Sequence, residues 1–78
     1  MALVLIADDS PTDQHVLVRA LEKHGFETLI AKDGQEAIRL AGLHSPDVIL
    51  MDIVMPGMNG YQATRRLAQD PATASIPI

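Results

Sequence analysis

Residues 2–9 read ALVLIADD, and residues 48–52 read VILMD. Each stretch is a short apolar run that ends in aspartate, at Asp8 and Asp9 in the first case and at Asp52 in the second. Uninterrupted apolar runs of this length are typical of strands that are buried on both faces of a parallel sheet. The carboxyl ends of parallel strands meet at one edge, where open α/β sheets bind ligands. The pattern therefore predicts three carboxylates at one site.

A helix is predicted to follow the first strand. Ser10 can cap it, Pro11 suits its first position, and Gly25 offers a left-handed residue at its end. Helical spacing predicts that one stripe of this helix carries Leu17, Ala20, Leu21 and His24. A surface or helix-end role is predicted for His24, which has no metal-binding spacing to the other histidines.

The rest of the chain repeats this alternation of strand and helix. A second strand is predicted over residues 26–31, with a turn at 32–34 and a second helix that ends at Ser45 and Pro46. The inner residues of that helix are predicted to be Ala37, Ile38 and Ala41. Such alternation favours right-handed βαβ units, and hence an α/β fold with a doubly wound parallel sheet.

The third unit contains the second aspartate-ended run. A strand is predicted over residues 47–52, a loop over 53–58 and a helix over 59–69. The inner face of this helix is predicted to consist of Tyr61, Thr64, Leu67 and Ala68. Residues 76–78 read IPI and are expected to open a fourth strand.

Composition limits the functions that this chain can have. Its 78 residues allow one domain, and 47% hydrophobic with 21% charged residues suit a globular protein. A net charge of −4 gives no electrostatic reason to bind nucleic acid or an anionic membrane. The absence of cysteine excludes disulfides and thiolate metal sites and is compatible with a cytoplasmic protein. The apolar segment 1–7 is interpreted as a core strand, since it lacks a basic leader.

The three acids point to a metal-assisted phosphoryl transfer. Ionised carboxylates at one site repel one another unless a cation or a proton relieves them. Mg²⁺ prefers a few carboxylate oxygens and leaves room for phosphoryl oxygens. Asp52 is then the nucleophile, with Asp8 and Asp9 holding the metal directly or through water. The alternative is that these residues only cap helices or face solvent.

Several motifs together resemble those of a CheY-like receiver domain of two-component response regulators, over all 78 positions. These motifs are IADDS at residues 6–10, PDVILMD at residues 46–52 and DIVMPGMNG at residues 52–60. The sequence around Asp52 and in the helix that follows is most similar to that of small single-domain receivers of twitching-motility and chemotaxis-like pathways.

The resemblance implies a role for each residue of the acidic site. Asp52 is expected to be the phosphoacceptor and Asp9 a direct Mg²⁺ ligand, while Asp8 binds chiefly through water. The backbone carbonyl of Val54 is implied as a further metal ligand, which leaves its side chain free to vary. The phosphoryl donor is expected to be a histidine kinase or a phosphotransfer protein, and the domain to act as a switch rather than as an enzyme.

The resemblance also predicts that residues 1–78 form a receiver domain that is incomplete at its C-terminus. The family fold is a flavodoxin-like sheet of five βα units in the order 2-1-3-4-5. This chain supplies three units and the start of a fourth strand, and it lacks counterparts of the Thr or Ser after strand 4 and of the Lys after strand 5. Phosphorylation could therefore be impaired. The unmatched third strand predicts a homodimer through its exposed edge.

Two alternatives stay open. A metal-dependent phosphohydrolase would also use a strand-end aspartate with Mg²⁺, but such enzymes typically carry a second acid two residues later, where this chain has Val54. A non-phosphorylatable half-domain would act only in protein interaction or dimerisation. Modification of Asp52 by a small phosphodonor would separate these alternatives from the receiver.

Overall fold

The computed structural model describes residues 2–78, so that Met1, which the first predicted strand includes, lies outside the described residues. The three strands and three helices predicted over residues 2–69 are present, with bounds within two residues of those expected. Their bounds are β1 Leu3–Ala7, α1 Pro11–Lys23, β2 Glu27–Ala31, α2 Gly34–His44, β3 Val48–Met51 and α3 Gly60–Gln69. None of the helices within residues 2–78 is long and apolar enough to cross a membrane.

The strands form one parallel sheet in the order β2-β1-β3. β1 lies in the centre, where Leu5 pairs with Leu29 of β2 on one side and with Ile49 of β3 on the other. A helix separates each strand from the next along the chain. The predicted fold class, an α/β flavodoxin-like arrangement of three βα units, is therefore confirmed.

The main core lies on the face of the sheet that packs against α2 and α3. Alternate residues of a strand point to opposite faces, and here the odd-numbered ones face this core. The cluster joins strand residues to the helices and the β3–α3 loop, and its buried members are Leu5, Ala7, Ala31, Ala37, Ala41, Ile49, Met55 and Leu67. Two of the three inner residues predicted for α2 are buried, and Ile38 packs against the cluster.

The opposite face of the sheet is less completely covered. Ile6 of β1, Leu50 of β3 and Leu17 of α1 line a cavity of about 310 Å³ there. Leu50 is 37% exposed, so the prediction that β3 is buried on both faces was wrong at this residue. The physical reason is that α1 is the helix that packs here, and it leaves Leu50 partly uncovered.

The stripe predicted on α1 is correspondingly little buried. Within α1, all of whose residues the structure describes, none is buried. Leu17 and Leu21 are half-buried, whereas Ala20 and His24 are exposed. Ala20 is exposed because α1 rests on the sheet without a second helix beside it in residues 2–78 to enclose its flanks. His24 is exposed at the C-cap of α1, in agreement with the surface or helix-end role predicted for it.

The prediction of which side of α3 faces the core was also wrong. Tyr61 is 68% exposed and Ala68 is exposed, while the buried residues of the helix are Gly60, Ala63 and Leu67. Of the four predicted residues, Leu67 alone is buried. Small residues occupy the inner positions because α3 approaches α2 and the end of β3 closely, which a tyrosine would prevent.

The segment after α3 lies against the outer edge of β3 without forming a strand. Thr73 is buried, and its hydroxyl donates to the carbonyl of Leu67 at 2.7 Å. Ile49 donates its backbone N–H to the carbonyl of Pro77 at 2.9 Å. The strand predicted at residues 76–78 therefore does not form. A single backbone hydrogen bond joins this segment to β3, because Pro77 has no N–H to extend the pairing. The edge of β3 is thus partly occupied, in contrast to the bare edge that was predicted.

Candidate functional site

The backbone pairing of the sheet continues one residue past the ends of β1 and β3. Asp8 donates its N–H to the carbonyl of Ala31 at 3.0 Å, and Asp52 donates its N–H to the carbonyl of Ala7 at 2.9 Å. Both aspartates are therefore fixed to the same edge of the sheet. This edge is the carboxyl end of the parallel strands, as the sequence predicts.

The three acidic side chains lie together at this edge. One carboxylate oxygen each from Asp8, Asp9 and Asp52 can be chosen so that all lie within 4.8 Å of one another. Asp8 is buried, Asp52 is half-buried and Asp9 is exposed. The site thus ranges from the protein interior to solvent within three side chains, and it is open to an approaching ion or a second protein.

The cluster fits a hard divalent cation. Two ligands of one Mg²⁺, each at about 2.0–2.1 Å from the ion, lie at most about 4.2 Å apart. The oxygens within 4.8 Å could reach that spacing by a shift of a few tenths of an ångström, or if one of them bound through water. An ion there would also relieve the mutual repulsion of the carboxylates. The donor set therefore suits Mg²⁺, and the predicted ligand role of each residue stays a prediction.

Asp8 is held by bonds that the sequence patterns did not reveal. Its Oδ1 accepts the backbone N–H of Ser10 at 2.9 Å, and its backbone carbonyl accepts a hydrogen bond from the side-chain amide of Gln14. The first bond is an aspartate turn of a kind common at helix starts. For the bond from Gln14, the sequence offered one signal, which is a long amide side chain in the first turn of α1 and close to the aspartates.

The loop after Asp52 is closed by Gly60. The N–H of Gly60 donates to the carbonyl of Ile53 at 2.9 Å. A Cβ atom at Gly60 would lie 2.8 Å from Cα of Ile53 and closer still to the carbonyl oxygen of Asp52. Only glycine permits this approach, so that Gly60 sets the path of the backbone that carries Asp52.

The same loop also packs on the start of α2. A Cβ atom at Gly34 would lie 2.8 Å from the carbonyl oxygen of Met58 and 3.2 Å from Cβ of Ala63. The loop is therefore held between α2 and α3. Next to Asp52, Ile53 and Val54 turn outward, with 49% and 79% of their side chains exposed. The backbone of the loop is thus tightly placed, while the side chains of Ile53 and Val54 face solvent and that of Met55 is buried in the core.

Comparison with known proteins assigns the fold and the site to a family. The model of the response regulator receiver domain matches residues 4–78. Protein PilH of Pseudomonas aeruginosa is 54% identical over 78 residues, which are 100% of this chain and 64% of PilH. The chain belongs to the response regulator receiver domain family. It spans a little less than two thirds of the length of PilH.

Solved structures support the same assignment. The N-terminal domain of a response regulator receiver protein from Methanoculleus marisnigri matches with a TM-score of 0.96 and 36% identity, over 99% of this chain and 63% of that chain. The receiver domain of the sensor histidine kinase PA1611 from Pseudomonas aeruginosa matches with a TM-score of 0.94 and 32% identity, over 99% and 63% of the two chains. That second structure has a magnesium ion coordinated in its active site cleft.

The family consists of signalling modules of two-component systems that work with histidine kinases or phosphotransfer proteins. The predicted resemblance to CheY-like receivers is therefore confirmed. The phosphohydrolase alternative loses support, since the family assignment covers the residues that would have carried it.

Proposed function

We propose that this chain accepts a phosphoryl group on Asp52 from a phosphohistidine of a histidine kinase or a phosphotransfer protein. The observation that carries the proposal is the approach of the Asp8, Asp9 and Asp52 oxygens to within 4.8 Å of one another at the open edge of the sheet. Asp52 is half-buried and joined to Ala7 through its backbone. Its carboxylate is thus held on a rigid strand end while it stays within reach of a donor.

In the proposed transfer, a carboxylate oxygen of Asp52 forms a new P–O bond as the P–N bond of the donor phosphohistidine breaks. The electron pair of that bond returns to the imidazole, which takes up a proton from water. The attacking and leaving atoms lie roughly in line with phosphorus in such a reaction. Bound Mg²⁺ would supply charge compensation for the phosphoryl oxygens and the carboxylates.

The chain's own residues would bind the metal and position the acceptor. Asp9 and Asp8 would hold the metal, Asp9 directly and Asp8 chiefly through water, and the backbone carbonyl of Val54 would be a further ligand. The Val54 side chain is 79% exposed, which is consistent with a role for its backbone alone. Gly60 fixes the loop that carries Asp52 and Val54, so that it orients the acceptor without touching the phosphoryl group.

The test is to incubate the chain with Mg²⁺ and a small phosphodonor, or with beryllofluoride, and to detect a modified Asp52 by mass or by fluorine spectra. We expect one adduct per chain, and none in the variant Asp52→Asn. Turnover of phosphate esters would instead favour a phosphohydrolase, and absence of any adduct in a chain that binds Mg²⁺ would favour a module that only binds protein.

Metal binding has its own expected result. Mg²⁺ at a free concentration one hundred times its dissociation constant should raise the free energy of unfolding by about 2.7 kcal/mol, since it binds the folded state. The variant Asp9→Asn should lose most of this gain, because Asp9 is the acid proposed to bind the metal directly. Denaturation by urea with and without Mg²⁺ measures both. An equal rise in the free energy of unfolding in the variant would show that Asp9 is not a metal ligand.

We also propose that two copies associate through the outer edge of β3. β3 lies at the end of the strand order, and Leu50 is 37% exposed. The bond from Ile49 to Pro77 occupies one group of this edge, so a second copy must pair beside it or displace it. Light scattering should give a dimer mass that Leu50→Lys reduces to a monomer, while Val16→Lys on the outer face of α1 leaves it unchanged. A monomer mass for the unsubstituted chain would refute the pairing.

A further inference from the structure

Gln14 has one side-chain contact that sets it apart from the other exposed or half-buried residues of α1. Its backbone N–H donates to the carbonyl of Ser10 at 2.9 Å, so the residue is already part of the helix. From this fixed position its side-chain amide turns back and donates to the backbone carbonyl of Asp8. Helix α1 is thereby joined to the end of β1 at the residue that begins the acid cluster.

The carbonyl that Gln14 holds belongs to the peptide group that joins Asp8 to Asp9. A peptide group is planar, so fixing its carbonyl oxygen also fixes where the next Cα lies. Asp8 is held at three points, because its N–H bonds to Ala31, its Oδ1 to the N–H of Ser10 and its carbonyl to Gln14.

The position of the Asp9 carboxylate depends on the orientation of this backbone. It is exposed, and it takes part in none of the side-chain hydrogen bonds found in residues 2–78. Its carboxylate nevertheless lies within 4.8 Å of oxygens from Asp8 and Asp52. Backbone orientation, rather than a side-chain partner, therefore directs this carboxylate toward the other two.

We propose that Gln14 is a positioning residue for the metal centre, which acts by holding the Asp8–Asp9 peptide so that the carboxylate of Asp9 faces Asp8 and Asp52. This inference rests on the proposed function in so far as that function places Mg²⁺ at the three acids. Gln14 itself touches neither the metal nor the phosphoryl group. Its role is comparable to that of residues that orient metal ligands from behind.

The test compares Gln14→Met with Gln35→Met in the full chain. Methionine is close to glutamine in size and in helix propensity but donates no hydrogen bond. Gln35 is a matched control, because it is exposed in the first turn of α2. We expect Gln14→Met to weaken Mg²⁺ binding about tenfold, the lower end of the range for loss of a ligand-orienting partner. Gln35→Met should leave the affinity unchanged.

A second readout does not need the metal. In the metal-free chain, loss of the hydrogen bond should move the carbonyl ¹³C resonance of Asp8 upfield in Gln14→Met and leave it in place in Gln35→Met. Gln14→Arg keeps N–H donors on a long side chain and should retain most of the Asp8 carbonyl shift. This rescue separates a specific hydrogen bond from a general loss of packing.

The possible results distinguish the positioning role of Gln14 from the proposed function on which it rests. Full Mg²⁺ affinity in Gln14→Met, or an unmoved Asp8 carbonyl resonance in its folded form, would overturn the positioning role. If the unsubstituted chain failed to bind Mg²⁺ while the carbonyl resonance moved as expected, the proposed function would fail, and Gln14 would be left with a purely structural bond.

Discussion

The two faces of the sheet differ in how firmly they are packed. On the face toward α2 and α3, inner residues such as Ala37, Ala41 and Leu67 are fully buried. On the other face no residue of α1 is buried, and Leu50 stays 37% exposed above a cavity of about 310 Å³. The same three strands therefore support one close-packed layer and one loosely covered layer.

This difference reaches the acid cluster, because each face positions different members of it. The packed face holds Asp52, since Gly60 lies directly against its backbone and the loop is clamped at Gly34. The loose face contributes the start of α1, where Ser10 and Gln14 hold Asp8 by hydrogen bonds. Asp52 is thus placed by close packing, whereas Asp8 is placed by a few polar contacts.

The largest expected effect comes from a methyl group at Gly60. Gly60→Ala should lower the free energy of unfolding by about 3 kcal/mol or more, because its Cβ meets the backbone of Asp52 and Ile53 and the backbone must shift. Gly57→Ala is the control, since it has φ +70 but open space around it and should cost only about 1–2 kcal/mol of backbone strain. Urea denaturation measures both. Equal costs would mean that the contact at Gly60 is not tight.

Core truncation compares the two faces directly. Leu67→Ala should cost about 2.5 kcal/mol, because Leu67 is fully buried between α3 and the sheet. Leu17→Ala should cost about 1 kcal/mol, because Leu17 is half-buried beside an open cavity and its loss creates little new void. Thermal or urea unfolding of the two variants tests the difference. Similar losses would contradict the unequal packing of the faces.

The helix caps provide a smaller contrast. Asn59 and Gln62 form a reciprocal capping box at the start of α3, with bonds of 2.9 and 3.0 Å, whereas Ser10 accepts the N–H of Asp13 at 3.3 Å at the start of α1. Asn59→Ala should therefore cost about 1 kcal/mol and Ser10→Ala about 0.5 kcal/mol. Hydrogen exchange of the first-turn amides can locate each loss. A larger effect at Ser10 would reverse the ranking.

The smallest effect should have the opposite sign. Gly42 lies in α2 on the side away from the core, and a Cβ atom there would meet nothing within 4 Å. Gly42→Ala should therefore raise the free energy of unfolding by about 0.7 kcal/mol, because alanine loses less backbone freedom than glycine in a helix. A calorimetric melting curve measures the gain. A loss of stability would show that the outer face of α2 is more crowded than its geometry indicates.

Helices and strands were predictable because local signals agreed with the fold. Ser10 and Pro11 begin α1 as expected, Gly25 takes φ 84 after its end, and Ser45 ends α2. The gathering of the acids followed from topology alone, because parallel strands bring Asp8 and Asp52 to the same edge. Local chemistry and chain alternation were sufficient for both.

The rotation of α3 could not be predicted in this way. Its sequence offers apolar residues in more than one direction, and Tyr61 is the largest of them. The structure turns Tyr61 outward and buries Gly60 and Ala63 instead. Which side faces inward depends on how closely α2 and the end of β3 approach, and that distance is a property of the packed molecule. The same limit applies to the partial exposure of Leu50.

The amino-acid sequence by itself determined the order of strands and helices, the parallel sheet and the meeting of three aspartates at its carboxyl edge, because these depend on short-range patterns and on chain connectivity. Tertiary structure alone decided which small residues allow close contact, and which polar groups hold the acids. Gly60 against Asp52 and Gln14 against Asp8 each join a helix to the end of the preceding strand, and the distance between two such elements is set only when they pack.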